Sequence, residues 1–94
     1  DKQMKHVFSK PYVFEDEEVK EIEIDLESLK GSDVAAAKRE FSEEGNVAFV
    51  IASDPIFCMK LAARLTKRPK EFFDDLPGKD YLAISQGIQN FLLG

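Results

Sequence analysis

The chain has 94 residues and a formal net charge of −5. Such an acidic balance argues against a nucleic-acid surface, and a single cysteine excludes an internal disulfide framework and suits a reducing compartment. The length predicts one domain over residues 1–94, and no apolar run approaches the roughly 20 residues that span a bilayer, so we expect no membrane partner.

The N-terminal third predicts a β-hairpin. Residues 1–9 are expected to form a loose N-terminus, and the hairpin is placed at residues 10–27. Apolar side chains alternate with carboxylates from Ile22 to Leu26, which indicates a half-buried strand. Pro11 restricts the first strand to an edge strand or a broken pair. Asp16 is the expected pivot of the turn, because Asp tolerates left-handed backbone.

Residues 32–92 predict about four helices, so the expected fold is α+β, with the hairpin packed on a small helical bundle. Gly45 is the expected left-handed stop of the first helix. The apolar run 47–52 is interpreted either as a third strand or as a buried connector. Capping residues and prolines mark the expected helix starts, which are Ser32, Asp54, Pro55, Pro69 and Pro77.

Few residues carry chemistry. His6 is the only histidine and has no acid–base partner near it in the sequence. Cys58 lies on the apolar face of a predicted helix, where a buried and inert thiol is expected. The sequence shows no zinc-ligand spacing, EF-hand loop, phosphate loop or nucleophile grouping, so we expect neither an enzyme nor a cofactor or metal site.

A basic cluster between residues 60 and 70 is the most pointed charge feature. One interpretation is a solvated helix face. The other is a docking surface for an acidic partner, such as the acidic residues 15–27 of a second copy, which would give weak, salt-sensitive homo-oligomers. The predicted basic partner-binding residues are Lys60, Arg64, Lys67 and Arg68, with Lys70 beside them.

Two groups of apolar residues are further candidates for partner binding. Phe72 and Phe73 lie between two prolines, and we expect one ring in the core and the other in contact with a client protein. Leu82, Leu92 and Leu93 fall outside the apolar stripe of the last helix. They are interpreted either as core contacts or as an exposed patch of the kind that binds proteins.

The order of several short motifs resembles a known family. The motifs occupy residues 10–15, 44–46, 61–64, 71–73, 76–77, 79–80 and 90–91. Together they resemble the small tail assembly chaperones of long-tailed phages and prophages, over about residues 10–94. The chain departs from the family pattern at Asp16, where Gly is expected, and at residues 49–51, which are more apolar than the proline-containing loop expected there.

The resemblance implies binding rather than catalysis. Chaperones of this kind are expected to coat the helical tape measure protein in the host bacterial cytoplasm, keep it soluble and recruit tail tube subunits. The alternative is a small nucleic-acid-binding or transcriptional regulatory domain, because helices joined by short turns can imitate helix-turn-helix units. Only the basic cluster favours that alternative, and the net charge opposes it.

Overall fold

An antiparallel hairpin followed by four α-helices makes up the fold, which confirms the predicted α+β class. The computed structural model describes residues 3–94. Short 3-10 turns lie at Leu26–Ser28 and Ile51–Ser53. The strands are β1 (Gln3–Phe14) and β2 (Glu17–Asp25), and the helices are α1 (Gly31–Glu43), α2 (Pro55–Thr66), α3 (Lys70–Asp74) and α4 (Gly78–Leu93).

Strand β1 begins earlier than the sequence indicates. Residues 3–7 pair with residues 21–25 of β2, so the expectation of a loose segment is wrong for residues 3–9, while residues 1–2 lie outside the described part. The side chains alternate, and those of Met4 and Phe8 pack against the core. Burial of these side chains holds the strand in place.

The pairing of the two strands is irregular around Pro11. Residues 8–11 of β1 lie opposite the single residue Lys20, because Val7 pairs with Glu21 and Tyr12 pairs with Val19. Proline has no N–H to donate to a ladder, so a bulge is a site where it is tolerated. The bulge turns Phe8 into the core and brings Ser9 to α4.

The hairpin turn has two residues with left-handed backbone. Phe14 pairs with Glu17, and φ is 50° at Glu15 and 68° at Asp16. Two successive positive φ values define the type I′ turn, whose twist matches that of the strands. Asp16 therefore has the predicted left-handed geometry, and Glu15 shares it.

Most of the predicted helix signals lie in place. Gly45 follows α1 with φ of 86°, and the Asp54 carboxylate accepts a hydrogen bond from the Ile56 N–H at 2.9 Å, directly before Pro55. Pro69 and Pro77 each precede the first helical residue by one position.

The predicted N-cap of α1 at Ser32 is wrong, because the helix already includes Gly31. Asp33 instead reaches back, and its carboxylate accepts from the Lys30 N–H at 3.0 Å. A carboxylate in the first turn also suits the positive end of the helix dipole.

Helix α2 occupies the centre of the bundle. It packs against α1, α4 and β2, and Leu61 and Ala62 on it are fully buried. An aromatic cluster joins the hairpin to α3, with the ring centroid of Phe72 at 5.1 Å from Tyr12 and 5.3 Å from Phe14. The Tyr12 hydroxyl also donates to the carbonyl oxygen of Phe72 at 2.8 Å. The apolar face of the hairpin is thus covered by helices, as a two-stranded sheet requires.

The run 47–52 is neither a strand nor a buried connector. Residues 46–50 form no strand pairing and Ile51–Ser53 is a 3-10 turn. Val47 is 92% exposed and Phe49 is fully exposed, while Ala48 and Ile51 pack partly against the core. Both interpretations of this run were therefore wrong. Although the run is strongly apolar, most of its large side chains are not buried by the rest of the described chain.

The turn provides a first stability test. Replacing Glu15→Asn and Asp16→Gly together should stabilise the protein by about 1 kcal/mol, because Asn-Gly is the preferred pair where both central residues need positive φ. Denaturant unfolding of the variant and the parent measures the difference. Asp16→Ala is the control and should destabilise, and a midpoint for the Asn-Gly variant below that of the parent would contradict the turn assignment.

Candidate functional site

An uncharged segment projects from the surface between α1 and α2. We call residues 47–50 the apolar loop. Three of its side chains, Val47, Phe49 and Val50, are exposed. Ile56, which follows a few residues later at the start of α2, is 42% exposed. Residues 46–53 contain no charged side chain. Contiguous exposed apolar side chains commonly mark protein interaction sites.

The apolar loop is held at both ends. The Asn46 N–H donates to the carbonyl oxygen of Phe41 at 3.2 Å, which closes the end of α1. Beyond the loop, the N–H and the hydroxyl of Ser53 both donate to the carbonyl oxygen of Val50, at 3.0 and 2.9 Å. These bonds fix the loop's ends, so Phe49 projects from an anchored segment.

A groove of about 440 Å³ lies between α1, α2, α3 and the start of α4. We call it the α2 groove. Asn46 and Ile56 line it, so the groove begins where the apolar loop is rooted. The other lining residues are Glu40 from α1 and Glu44 directly after it; Met59, Lys60, Ala63 and Arg64 from α2; Arg68; Lys70, Phe73 and Asp74 from α3; and Tyr81 from α4. Apolar side chains from α2 and α3 are thus bordered by charges of both signs.

Lys60 belongs to this groove and not to a solvated basic face. It is only 7% exposed, and its ammonium nitrogen lies 2.8 Å from Glu44 and 3.7 Å from Glu40. The hydrogen bond from Lys60 lowers the pKa of the Glu44 carboxyl, and the charge of Lys70 contributes in the same direction. The interpretation of Lys60 as part of a solvated helix face is therefore wrong, because Glu40 and Glu44 supply its counter-charges, and its role in partner binding stays a prediction.

The rest of the basic cluster is also largely paired within the chain. Arg64 lies 3.3 Å from Asp33, and Arg68 lies 3.5 Å from Glu17 while covering the Phe72 ring at 4.4 Å. Lys70 pairs with Asp74 across one helical turn at 3.6 Å. Among residues 3–94, Lys67 is the member of the cluster that is exposed without an ion pair, at a left-handed position after α2. Arg68 thus meets the acidic hairpin, whereas α1 and α3 supply the carboxylates that face Arg64 and Lys70.

The two phenylalanines do not divide their roles as predicted. Phe72 is 0% and Phe73 is 1% exposed, so both rings are core residues, and the expectation that one lies outside the core is wrong. Phe73 is nevertheless one of the residues that line the α2 groove. Both rings are buried because of what surrounds α3. Rings of the hairpin cover Phe72, and α2 packs against α3.

The three leucines of α4 have separate environments. Leu82 is 61% and Leu93 is 57% exposed, whereas Leu92 packs partly against the core. Eleven residues correspond to about three helical turns, so Leu82 and Leu93 lie along one side of α4. The exposed-patch interpretation suits these two, and the core interpretation suits Leu92.

A buried carboxylate joins β1 to α4, and it gives His6 the partner that the sequence did not show. Asp80 is 2% exposed and lies 2.8 Å from the His6 Nε2. It also accepts hydrogen bonds from the N–H and the hydroxyl of Ser9, both at 3.2 Å. Burial alone would raise the pKa of Asp80, but these hydrogen bonds outweigh it and the pKa is lowered.

The geometry of this cluster fits a structural tie. The Ser9 hydroxyl donates to the carboxylate and not to the imidazole, so the ring is not placed to activate it as a nucleophile. Cys58 is likewise buried, and burial raises the pKa of its thiol to about 11. Within residues 3–94, no group of three or more potential metal-ligating side chains is present.

Sequence reasoning missed the apolar loop as a site. An apolar run of this length is usually buried, and only two signals point the other way. The run is enclosed between Gly45, which stops α1, and Pro55, which starts α2, and its residues 49–51 depart from the family pattern.

Comparison with known proteins identifies the family. Residues 5–93 match the family described as "Phage tail assembly chaperone proteins, E, or 41 or 14". The chain belongs to this family. No characterised protein and no solved structure gives a significant match.

The family places the chain in phage tail assembly and indicates a non-enzymatic, chaperone role with tail proteins as partners in general. The matched residues include the apolar loop, the α2 groove and the whole of the described hairpin beyond Met4. None of the helices described over residues 3–94 combines the length and the apolar character that a membrane crossing demands.

The buried carboxylate gives a pH-dependent prediction. Asp80→Asn should cost about 2–3 kcal/mol of unfolding free energy at pH 7, because it removes a charged acceptor from three donors. The pKa of Asp80 is lowered on folding, so its contribution is present above the unfolded value and is lost as the pH falls through the folded value. Urea unfolding of both proteins at pH 7 and near pH 3 should therefore show a difference that shrinks in acid.

The control is Asp74→Asn, which removes an exposed ion pair and should cost less than about 1 kcal/mol. An equal difference between parent and Asp80→Asn at both pH values would show that the charge of Asp80 is not the source of the stability.

Proposed function

We propose that this chain binds the tape measure protein in the host bacterial cytoplasm, keeps it soluble before tail assembly and helps to recruit tail tube subunits. The observation that carries the proposal is the apolar loop, rooted at one end of the α2 groove. A holdase requires exposed apolar surface, and the family match supplies the assembly context.

The shape of the site suits a helical client. Along α2 the groove extends from Ile56 to Arg64, eight residues or about 12 Å, which is roughly two turns of a docked helix. An amphipathic helix lays its apolar stripe into such a groove while its polar side remains in water. Ile56 and the half-buried Ala63 offer apolar surface beside the buried Met59 and Phe73, and the bordering charges of both signs suit polar flanks of the client helix.

The site is small enough for reversible binding. A stable interface usually buries about 800 Å² on each partner, which a loop of four residues does not reach alone. Many copies along a long client would then add weak contacts without forming a permanent complex. The net charge of −5 opposes aggregation of the coated client.

Leu82 and Leu93 offer a further exposed apolar surface on α4, and we propose it as the contact for a second tail protein. The nucleic-acid alternative has lost its main support, because Lys60, Arg64 and Arg68 pair with carboxylates of the same chain.

Co-expression tests the proposed function. Phe49→Ser should reduce the soluble yield of the tape measure protein encoded by the same phage or prophage, and should weaken binding of its fragments by roughly 10- to 100-fold, the worth of one buried Phe side chain. Fold and stability should not change, because Phe49 is fully exposed. Pull-down and solubility assays give the readout.

The matched control is Val13→Ser, which alters an apolar side chain 64% exposed on the hairpin. It should leave client solubility as it is. If the parent protein fails to bind or to solubilise the tape measure protein, the proposed function is wrong. If Val13→Ser and Phe49→Ser weaken binding equally, the apolar loop is not the binding site.

A further inference from the structure

Positive charge predominates among the side chains that line the α2 groove. Four lining residues are cationic and three are carboxylates, so the lining carries a net charge of +1 in a chain whose net charge is −5. The cations are Lys60, Arg64, Arg68 and Lys70, and the carboxylates are Glu40, Glu44 and Asp74. Asp33 and Glu17, which pair with Arg64 and Arg68, are not among the residues that line the groove. The charges of these two arginines are therefore not balanced inside it.

Arg64 and Arg68 keep hydrogen-bonding capacity for a further carboxylate. Arg64 donates from Nε and Nη2 to one oxygen of Asp33, both at 3.3 Å. Arg68 donates from Nη1 to Glu17 at 3.5 Å. Tight bonds between charged groups usually measure about 2.7–2.9 Å, and a guanidinium group offers several N–H donors in a planar fork. Both pairs are therefore loose, and within residues 3–94 they leave donors of each fork unused.

Water reaches both pairs, so a docking group can reach them too. The side chains of Arg64 and Arg68 are 38% and 29% exposed. Glu17, the partner of Arg68, is 60% exposed. Exposed ion pairs of this kind contribute little to stability, so a carboxylate of another molecule displaces or joins them at small cost. A planar fork also binds a carboxylate with two parallel bonds, which fixes its orientation.

We infer that the α2 groove selects a client helix in which a carboxylate lies about seven or eight positions from an apolar side chain. The carboxylate binds Arg64, with Arg68 beside it, while the apolar side chain contacts Ile56. Eight positions separate Ile56 from Arg64 on α2, or roughly 12 Å, and the same number of client residues covers that length. The inference rests on the proposed function and adds the chemistry by which the client is recognised.

The acidity of the rest of the chain makes this recognition selective. Carboxylates of a client placed against the hairpin meet Glu21, Glu23 and Asp25, which point outward from β2, and like charges repel. The net charge of −5 likewise disfavours general attraction of an acidic client. An acidic helix is therefore favoured in the register that brings its carboxylate to Arg64. Electrostatic complementarity of this kind contributes specificity more than affinity.

Fluorescence anisotropy with labelled synthetic peptides, added to the intact protein, tests the inference. Two alanine-rich helical peptides share one leucine and differ at a single position seven residues away, where one has glutamate and the other lysine. The parent protein should bind the glutamate peptide roughly fivefold more tightly, the worth of a partly exposed bidentate pair. A third peptide, with glutamate two positions from leucine and thus on the opposite side of the helix, should lose this advantage.

Variants of the protein locate the contact. Arg64→Glu should reverse the preference, and Arg64→Gln should abolish it even where Arg64→Glu is destabilised by repulsion from Asp33. Arg39→Glu is the matched control, because Arg39 is exposed on α1 and is not among the residues that line the groove. It changes the net charge by the same amount and should keep the preference. Circular dichroism of each variant checks that it is folded.

Several outcomes overturn the inference. They are equal affinity for the first two peptides, binding of neither at about 1 mM protein, an undiminished advantage of the third peptide, and an equal effect of Arg39→Glu and Arg64→Glu. A protein that solubilises the tape measure protein but ignores the charge of the peptides removes the inference and leaves the proposed function standing. A protein with the expected peptide preference that never binds the tape measure protein removes the proposed function instead.

Discussion

The contact of the hairpin rings with Phe72 is the interaction on which the rest of the structure depends. A two-stranded sheet is marginal alone, and its apolar face here is covered by helices through the rings of Tyr12 and Phe14. Phe72 is fully buried beneath them, and the Tyr12 hydroxyl ties its carbonyl oxygen to the hairpin. Because α3 is fixed in this way, the adjacent Phe73 is held against α2 and supplies part of the groove. The aromatic contact at Phe72 and the α2 groove at Phe73 are thus built from adjacent residues.

Local signals predict much of this fold. The alternation in β2, the left-handed Gly45 and the Asp54–Pro55 start of α2 each follow from the chemistry of a few adjacent residues. The expected burial of Cys58 on α2 is also confirmed, since its side chain is 1% exposed. These features depend on backbone geometry and periodicity, which a single sequence displays directly.

Features that depend on distant partners could not be predicted in this way. The first half of β1 contains His6 and Ser9, and it is anchored by Asp80, more than 70 residues away in the chain. Lys60 resembles a solvated residue until Glu40 of α1 and the adjoining Glu44 are placed beside it. The apolar loop was missed for the opposite reason. Its composition favours burial, whereas the folded chain leaves the Phe49 side chain fully exposed. The candidate site is therefore the part of the molecule that the sequence predicts least well.

The proposed chaperone role depends on where a client touches this surface. Backbone amide chemical shifts, measured by NMR while a helical tape measure fragment is titrated into the labelled protein, test that point most directly. The account predicts that the largest perturbations fall on residues 46–50 and on Ile56, Met59 and Ala63, with the outer face of the hairpin around Val13 unchanged. Perturbations confined to the hairpin, or to the α4 surface at Leu82 and Leu93, would contradict it.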